Sequence, residues 1–137
     1  MTICIEHRAC LLGDLDLDTV ELSATGQLVS GELQRIEERF PGVAIDAVVI
    51  MPNHLHAIIA ITDSETTGNA APTLGEILRA FKAASARVVR RDCDPGFGWQ
   101  RNYFERVIRD DRELRVFRDY IETNPARWAT DDLFTTR

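Results

Sequence analysis

Two short constellations in this sequence carry side chains suited to chemistry. His54-Leu55-His56 sets two imidazoles two residues apart inside an apolar run. On a β-strand, residues i and i+2 share a face with Cα atoms roughly 6.5–7 Å apart, so the pair could hold one divalent cation while Leu55 points the other way. Taken alone, the pattern describes satisfied core or surface histidines equally well. Two facts add weight: the pair directly follows the turn signal Pro52-Asn53, and His7 is the only other histidine. The second constellation is Tyr120 with Asn124, whose four-residue spacing puts them on one face of a helix. Asn124 offers a neutral carbonyl oxygen acceptable to a hard cation such as Mg²⁺ or Mn²⁺, and Tyr120 offers a phenol. The plainer alternatives are a half-buried packing tyrosine and an asparagine that ends a helix before Pro125.

The elements that must position these groups follow from periodicity and punctuation. Thr2–His7 alternates around Ile3 and Ile5 and reads as a first strand. A turn-rich acidic stretch follows, with a short strand at Thr19–Ser23. Ser23 or Thr25 then caps a helix reaching Phe40, where Pro41-Gly42 stops it. Val43–Met51 and His54–Ile61 are two apolar runs that read as a β-hairpin, and Asp63–Pro72 reads as a flexible loop. Thr73, with Glu76 three residues on, opens a helix whose apolar face is Leu74, Ile77, Leu78, Phe81, Ala84 and Val88. Asp92–Gly98 is a loop, Tyr103–Arg109 alternates as a strand, and Asp110 or Asp111 caps a last helix ending near Asn124-Pro125. Strand, helix, two strands, helix, strand and helix make an α+β domain with a small antiparallel β-sheet flanked by helices. At 137 residues the chain suits one domain, 1–137, with one core.

Bulk properties narrow the partners. The net charge is −6, but residues 79–118 carry eleven basic and six acidic side chains, whereas residues 1–78 carry three and twelve. The one positive segment is rich in arginine, whose fork matches phosphate oxygens in pairs. Cys4, Cys10 and Cys93 are scattered without metal spacing and read as reduced, structural thiols. No apolar run approaches the ~20 residues of a membrane helix, and there is no secretory signal pattern, so a cytoplasmic protein without a membrane partner is expected.

The runs VVIMPNHLHAIIAI, FKAASARVVRR and WQRNYFERVIRDDRELRVFRDYIETNPARW, with TICIEHRACLLGD ahead of them, resemble the REP-associated tyrosine transposases. These form a branch of the single-tyrosine transposases in the HUH nuclease class. The resemblance spans nearly the whole chain, and MPNHLH paired with a distant DYIETNP is far more specific than either alone. It implies an HUH, ferredoxin-like transposase fold. It also implies that His54 and His56 bind a catalytic Mg²⁺ or Mn²⁺, that Asn124 supplies a third ligand, and that Tyr120 is the nucleophile. The implied activity is nicking and rejoining of single-stranded DNA at palindromic hairpins through a 5′-phosphotyrosine link, without ATP. The implied partners are single-stranded DNA and DNA hairpins, with nucleoid association when bound and a monomer favoured over a homodimer. Arg79, Lys82, Arg87, Arg90, Arg91 and Arg101 are candidate DNA contacts, and Trp99, Tyr103 and Phe104 are candidate stacking platforms for bases. Two departures stand out: relatives commonly carry a basic leader before the first strand, and many have a histidine where Arg106 stands. A catalytically inactive, domesticated hairpin-binding module is the main alternative. A phosphoesterase using activated water is another.

Overall fold

The structure, a computed structural model, describes residues 1–16, 19–62 and 71–126. In chain order its elements are β1 (Thr2–Cys4), a 3₁₀ turn (Glu6–Arg8), β2 (Gly13–Asp16), β3 (Thr19–Leu22), α1 (Ala24–Arg39), β4 (Val43–Ile50), β5 (His54–Ile61), α2 (Leu74–Asp92) and α3 (Asp111–Thr123). β1, β5 and β4 form an antiparallel sheet in the order β1-β5-β4, and β2 and β3 form a separate two-stranded ribbon. The expected α+β architecture and the β4–β5 hairpin are both present.

β5 lies in the middle of the sheet, and its alternation decides what each face does. Leu55 and Ala57 point into a core shared with Ile3, Ile5, Leu33, Ile36, Ile77, Leu78, Phe81 and Val89. This is the face covered by α1 and α2, and each fully buried Leu, Ile or Phe contributes about 1.5–3 kcal/mol. His54 and His56, out of phase by one residue, are left for the opposite face, where α3 packs against β4 and β5.

Side-chain caps fix where the helices begin. Ser23 Oγ accepts the Gly26 N–H at 3.0 Å, Thr73 Oγ1 accepts the Glu76 N–H at 3.1 Å, and Asp110 Oδ1 accepts the Glu113 N–H at 2.8 Å. Ser23 is thus the cap of α1, and Thr25 lies inside the helix. Gly42 has φ +84°, the left-handed geometry needed to reverse from α1 into β4.

Three expectations are corrected. The first strand ends at Cys4, because the chain turns at Glu6–Arg8, where His7 adopts φ 60°. Gly13–Asp16, expected as turn, pairs with β3 as a hairpin. Tyr103–Arg109 is not a strand: its alternation never finds a face to bury, leaving Phe104 66% and Val107 77% exposed. Pairing falls earlier, where the stretch from Trp99 to Phe104 runs beside β1 with bridges Ile5–Trp99 and Thr2–Phe104. β1 is only three residues long and supports no longer ladder. The Asp63–Pro72 loop lies outside the described residues except for Ala71 and Pro72.

Candidate active site

His54 and His56 project from β5, where β4 and β1 flank them; His54 is fully buried and His56 is 8% exposed. Their rings meet edge to face with centroids 4.7 Å apart, and the two Nε2 atoms lie 3.1 Å from each other. Each Nδ1 has an oxygen partner. His54 Nδ1 donates to Asn53 Oδ1 at 2.6 Å, since a carboxamide oxygen only accepts. His56 Nδ1 is 2.7 Å from Thr2 Oγ1, which stands directly opposite it on β1. Burial, and after it the neighbouring His56, pushes the His54 pKa down to about 3, so His54 is neutral at neutral pH.

Across from the histidines, α3 brings up the phenol. The Tyr120 ring centroid lies 5.4 Å from that of His56, and the residue is 40% exposed. Asn124 caps the helix C-terminus in helical geometry, one turn beyond Tyr120, and is 1% exposed. Its Oδ1 is buried and has no hydrogen-bond partner. Such an acceptor normally costs about 1–3 kcal/mol, which makes an unpaired one a turn from Tyr120 informative. Among the described residues, no three of His, Cys, Asp and Glu cluster closely enough to hold a metal ion.

α3 is aligned by polar ties as much as by packing. The register of β4 against β5 slips between Ile45 and Ala47, a bulge that leaves Asp46 facing the helix. The Arg118 guanidinium forks onto the Asp46 carboxylate through Nε and Nη2. That contact holds the Asp46 carboxyl below its usual range. Near the start of the helix, Arg106 pairs with Glu113 at 3.0 Å and lies over the Phe117 ring. An open cleft of about 680 Å³ runs alongside, lined in part by Thr2, His56, Phe104, Arg106, Phe117 and Tyr120.

His54, His56 and Tyr120 lie together, with Asn124 one turn along the same helix as Tyr120, while the candidate DNA contacts do not gather with them. Arg87 and Arg91 line a cleft between α1 and α2 with Arg35 and Arg39, on the helices that cover the other face of the sheet. Lys82 Nζ donates to the carbonyls of Gln100 and Arg101 and sits over the Tyr103 ring, which is structural work. Arg90 Nε donates to the Phe97 carbonyl. Trp99 packs on Phe81 and Phe97 with its indole N–H on Ser85 Oγ, so it is a core residue and not an open stacking platform. Arg79 and Arg101 are exposed, and Phe104 alone of the aromatic candidates opens onto the Tyr120 cleft. The sequence reading missed Asn53, Thr2 and the Asp46–Arg118 pair. Asn53 adjoins His54 and was open to notice, whereas the other contacts depend on strand register and a bulge.

A three-stranded antiparallel sheet with two helices on one face and a phenol-bearing helix on the other is the fold of solved transposases. One, a REP-associated tyrosine transposase bound to a REP hairpin, superposes with a TM-score of 0.68 at 21% identity, covering 92% of this chain and 64% of that one. Another, a putative transposase from Deinococcus radiodurans, superposes with a TM-score of 0.58 at 18% identity over 88% of this chain and 85% of that one. An uncharacterised protein of Haemophilus influenzae is 34% identical over 149 residues, spanning 98% of this chain and 83% of that protein. Residues 32–124 match the IS200-like transposases. The chain belongs to that family, and so to the DNA-processing transposases. Among the described residues no helix is long and apolar enough to cross a membrane.

Proposed function

We propose that this protein nicks and rejoins single-stranded DNA beside hairpins, as a REP-associated tyrosine transposase, with Tyr120 as nucleophile and a divalent cation held by His54, His56 and Asn124. The observation carrying this reading is the meeting of two imidazole Nε2 atoms 3.1 Å apart with a phenol ring 5.4 Å from His56, on a helix that holds, one turn further on, a buried carboxamide oxygen lacking any hydrogen bond. Two neutral imidazole nitrogens this close would suit joint ligation of one divalent cation. The Asn124 oxygen, buried without a partner, would be the third donor. Two imidazoles and one neutral oxygen suit Mg²⁺ or Mn²⁺, with Mn²⁺ the better match for nitrogen donors. Bound there, the cation polarises the scissile phosphate and offsets the charge that grows on it.

The chain's own groups supply the rest. The Tyr120 oxygen attacks phosphorus in line and forms a tyrosine–phosphate bond. The bond from phosphorus to the 3′ oxygen breaks, and its electrons leave with that oxygen, which takes up a proton. The phenol proton escapes through the exposed edge of Tyr120. One phosphodiester replaces another, so a free 3′-OH can reverse the step and no nucleotide need be hydrolysed. The cleft bounded by Phe104 and Phe117 gives an unpaired strand an apolar floor beside the nucleophile. Because Tyr120 and His56 of one chain already meet, a monomer suffices. The solved relative bound to a REP hairpin supports the substrate class.

A hairpin oligonucleotide with single-stranded flanks, labelled at its 3′ end, tests the reading with Mn²⁺ present. Wild type is expected to yield a labelled protein adduct resistant to boiling in detergent, and Tyr120→Phe none. Cleavage that persists in Tyr120→Phe would transfer the reaction to water.

A further inference from the structure

The oxygens behind the two histidines differ in kind, and the difference has a chemical consequence. Asn53 Oδ1 is a carbonyl oxygen and only accepts, so neutral His54 carries its hydrogen on Nδ1 and presents a lone pair at Nε2 with or without a cation. Thr2 Oγ1 is a hydroxyl and serves as either donor or acceptor. Without a cation, the 3.1 Å contact between the Nε2 atoms needs one hydrogen between them. His54 cannot provide it, so His56 does: its Nε2–H donates to His54 and its Nδ1 accepts from the Thr2 hydroxyl. To bind a cation, His56 must present a lone pair at Nε2, which moves its hydrogen to Nδ1 and makes Thr2 the acceptor.

We infer that Thr2 is a positioning residue that allows His56 to exchange tautomers on cation binding, while Asn53 locks His54 in the ligating tautomer. The inference rests on the metal-site reading above and concerns how that site is made ready. Rotation of the hydroxyl keeps His56 Nδ1 hydrogen-bonded in both states, whereas a side chain of one polarity would penalise one of them. Groups of this kind behind metal-bound histidines typically change affinity by 10- to 100-fold. The β1–β5 register supplies the contact by setting Thr2 opposite His56. The Thr2 backbone bonds, to Phe104, are separate from the hydroxyl and survive its removal.

The test measures binding and tautomer state, not turnover. Thr2→Val keeps the shape and the strand propensity but loses the hydroxyl, and Thr2→Ser restores it. Titration with Mn²⁺ is expected to show 10- to 100-fold weaker binding for Thr2→Val and binding within about twofold of wild type for Thr2→Ser. Histidine ¹⁵N NMR of wild type should place the His56 hydrogen on Nε2 in chelator and on Nδ1 with Zn²⁺ as a diamagnetic probe, with His54 on Nδ1 throughout. Equal Mn²⁺ affinity in Thr2→Val, or one His56 tautomer in both conditions, overturns the inference and leaves the metal site standing. A wild type that binds neither cation overturns the metal site itself and the inference with it.

Discussion

α2 and α3 look alike in sequence and are held very differently. Both start on a side-chain cap and both are amphipathic. Yet α2 buries Ile77, Leu78, Phe81, Ala84, Ser85, Ala86 and Val89, whereas α3 buries only Ile121 before the Asn124-Pro125 terminus. α2 is part of the core that makes the domain fold. α3 is a platform carrying Tyr120, joined to a sheet already complete without it. Stability and placement of the phenol are thus assigned to different helices, and local release of α3 should require less free energy than unfolding.

The comparison is broken most directly at its ends. Phe81→Ala empties a fully buried ring site and should lower unfolding free energy by about 3–5 kcal/mol in denaturant titration. Ile121→Ala should cost about 2 kcal/mol, the low end for such a truncation, because its surroundings are partly open and can relax. Its main signature should be faster amide exchange across α3 and loss of the covalent DNA adduct. Equal global destabilisation by the two variants would show that α3 belongs to the core after all.

The histidine face sharpens the contrast by pH. In chelator, His54 resists protonation until about pH 3, whereas an unfolded histidine takes its proton near 6.5. Between those values the unfolded state holds the extra proton, so stability falls as pH is lowered through the window, by about 1.4 kcal/mol per unit at the steepest. Above pH 6.5 this contribution is complete and flat. His54→Gln should remove that slope. The caps come next. Thr73→Ala and Asp110→Ala each weaken a helix start by about 1 kcal/mol. The first should appear in the global denaturation midpoint and the second mainly in α3 exchange.

How much of this was legible in the sequence follows the range of the interactions. Hairpin, helix caps and the spacing of Tyr120 and Asn124 are local, and each was readable from a few neighbouring residues. The histidine pair was readable as a pair, but its meaning as a site came from joining two distant motifs. The strand expected at Tyr103–Arg109 failed because alternation signals a strand only where a partner exists, and β1 supports pairing near Phe104 and not beyond. Trp99 looked like a base platform because aromatic residues serve both roles; only the Ser85, Phe81 and Phe97 contacts decide for the core. Thr2 facing His56 depends on register between strands fifty-four positions apart, which no local pattern encodes.

The smallest expected effect is the most specific to α3. Asp46 reaches the helix because the β4 bulge adds a residue between Ile45 and Ala47, and Arg118, two positions before Tyr120, closes on it with both fork nitrogens. The pair is open to solvent, so it should add little to global stability. Its effect should be directional, fixing the rotation of α3 about its axis and with it the approach of the phenol. Arg118→Gln and Asp46→Asn should therefore leave the denaturation midpoint nearly unchanged, quicken α3 exchange and slow adduct formation several-fold with hairpin affinity intact. The exchanged pair Asp46→Arg with Arg118→Asp should recover part of the rate, and the loss in either single variant should shrink as added salt screens the wild-type contact. Because the Arg118 contact lowers the Asp46 pKa, the tie persists at neutral pH and weakens only as acid protonates the carboxyl below the usual carboxylate range. A single variant that destabilised the whole domain as much as Phe81→Ala would erase the distinction between the two helices.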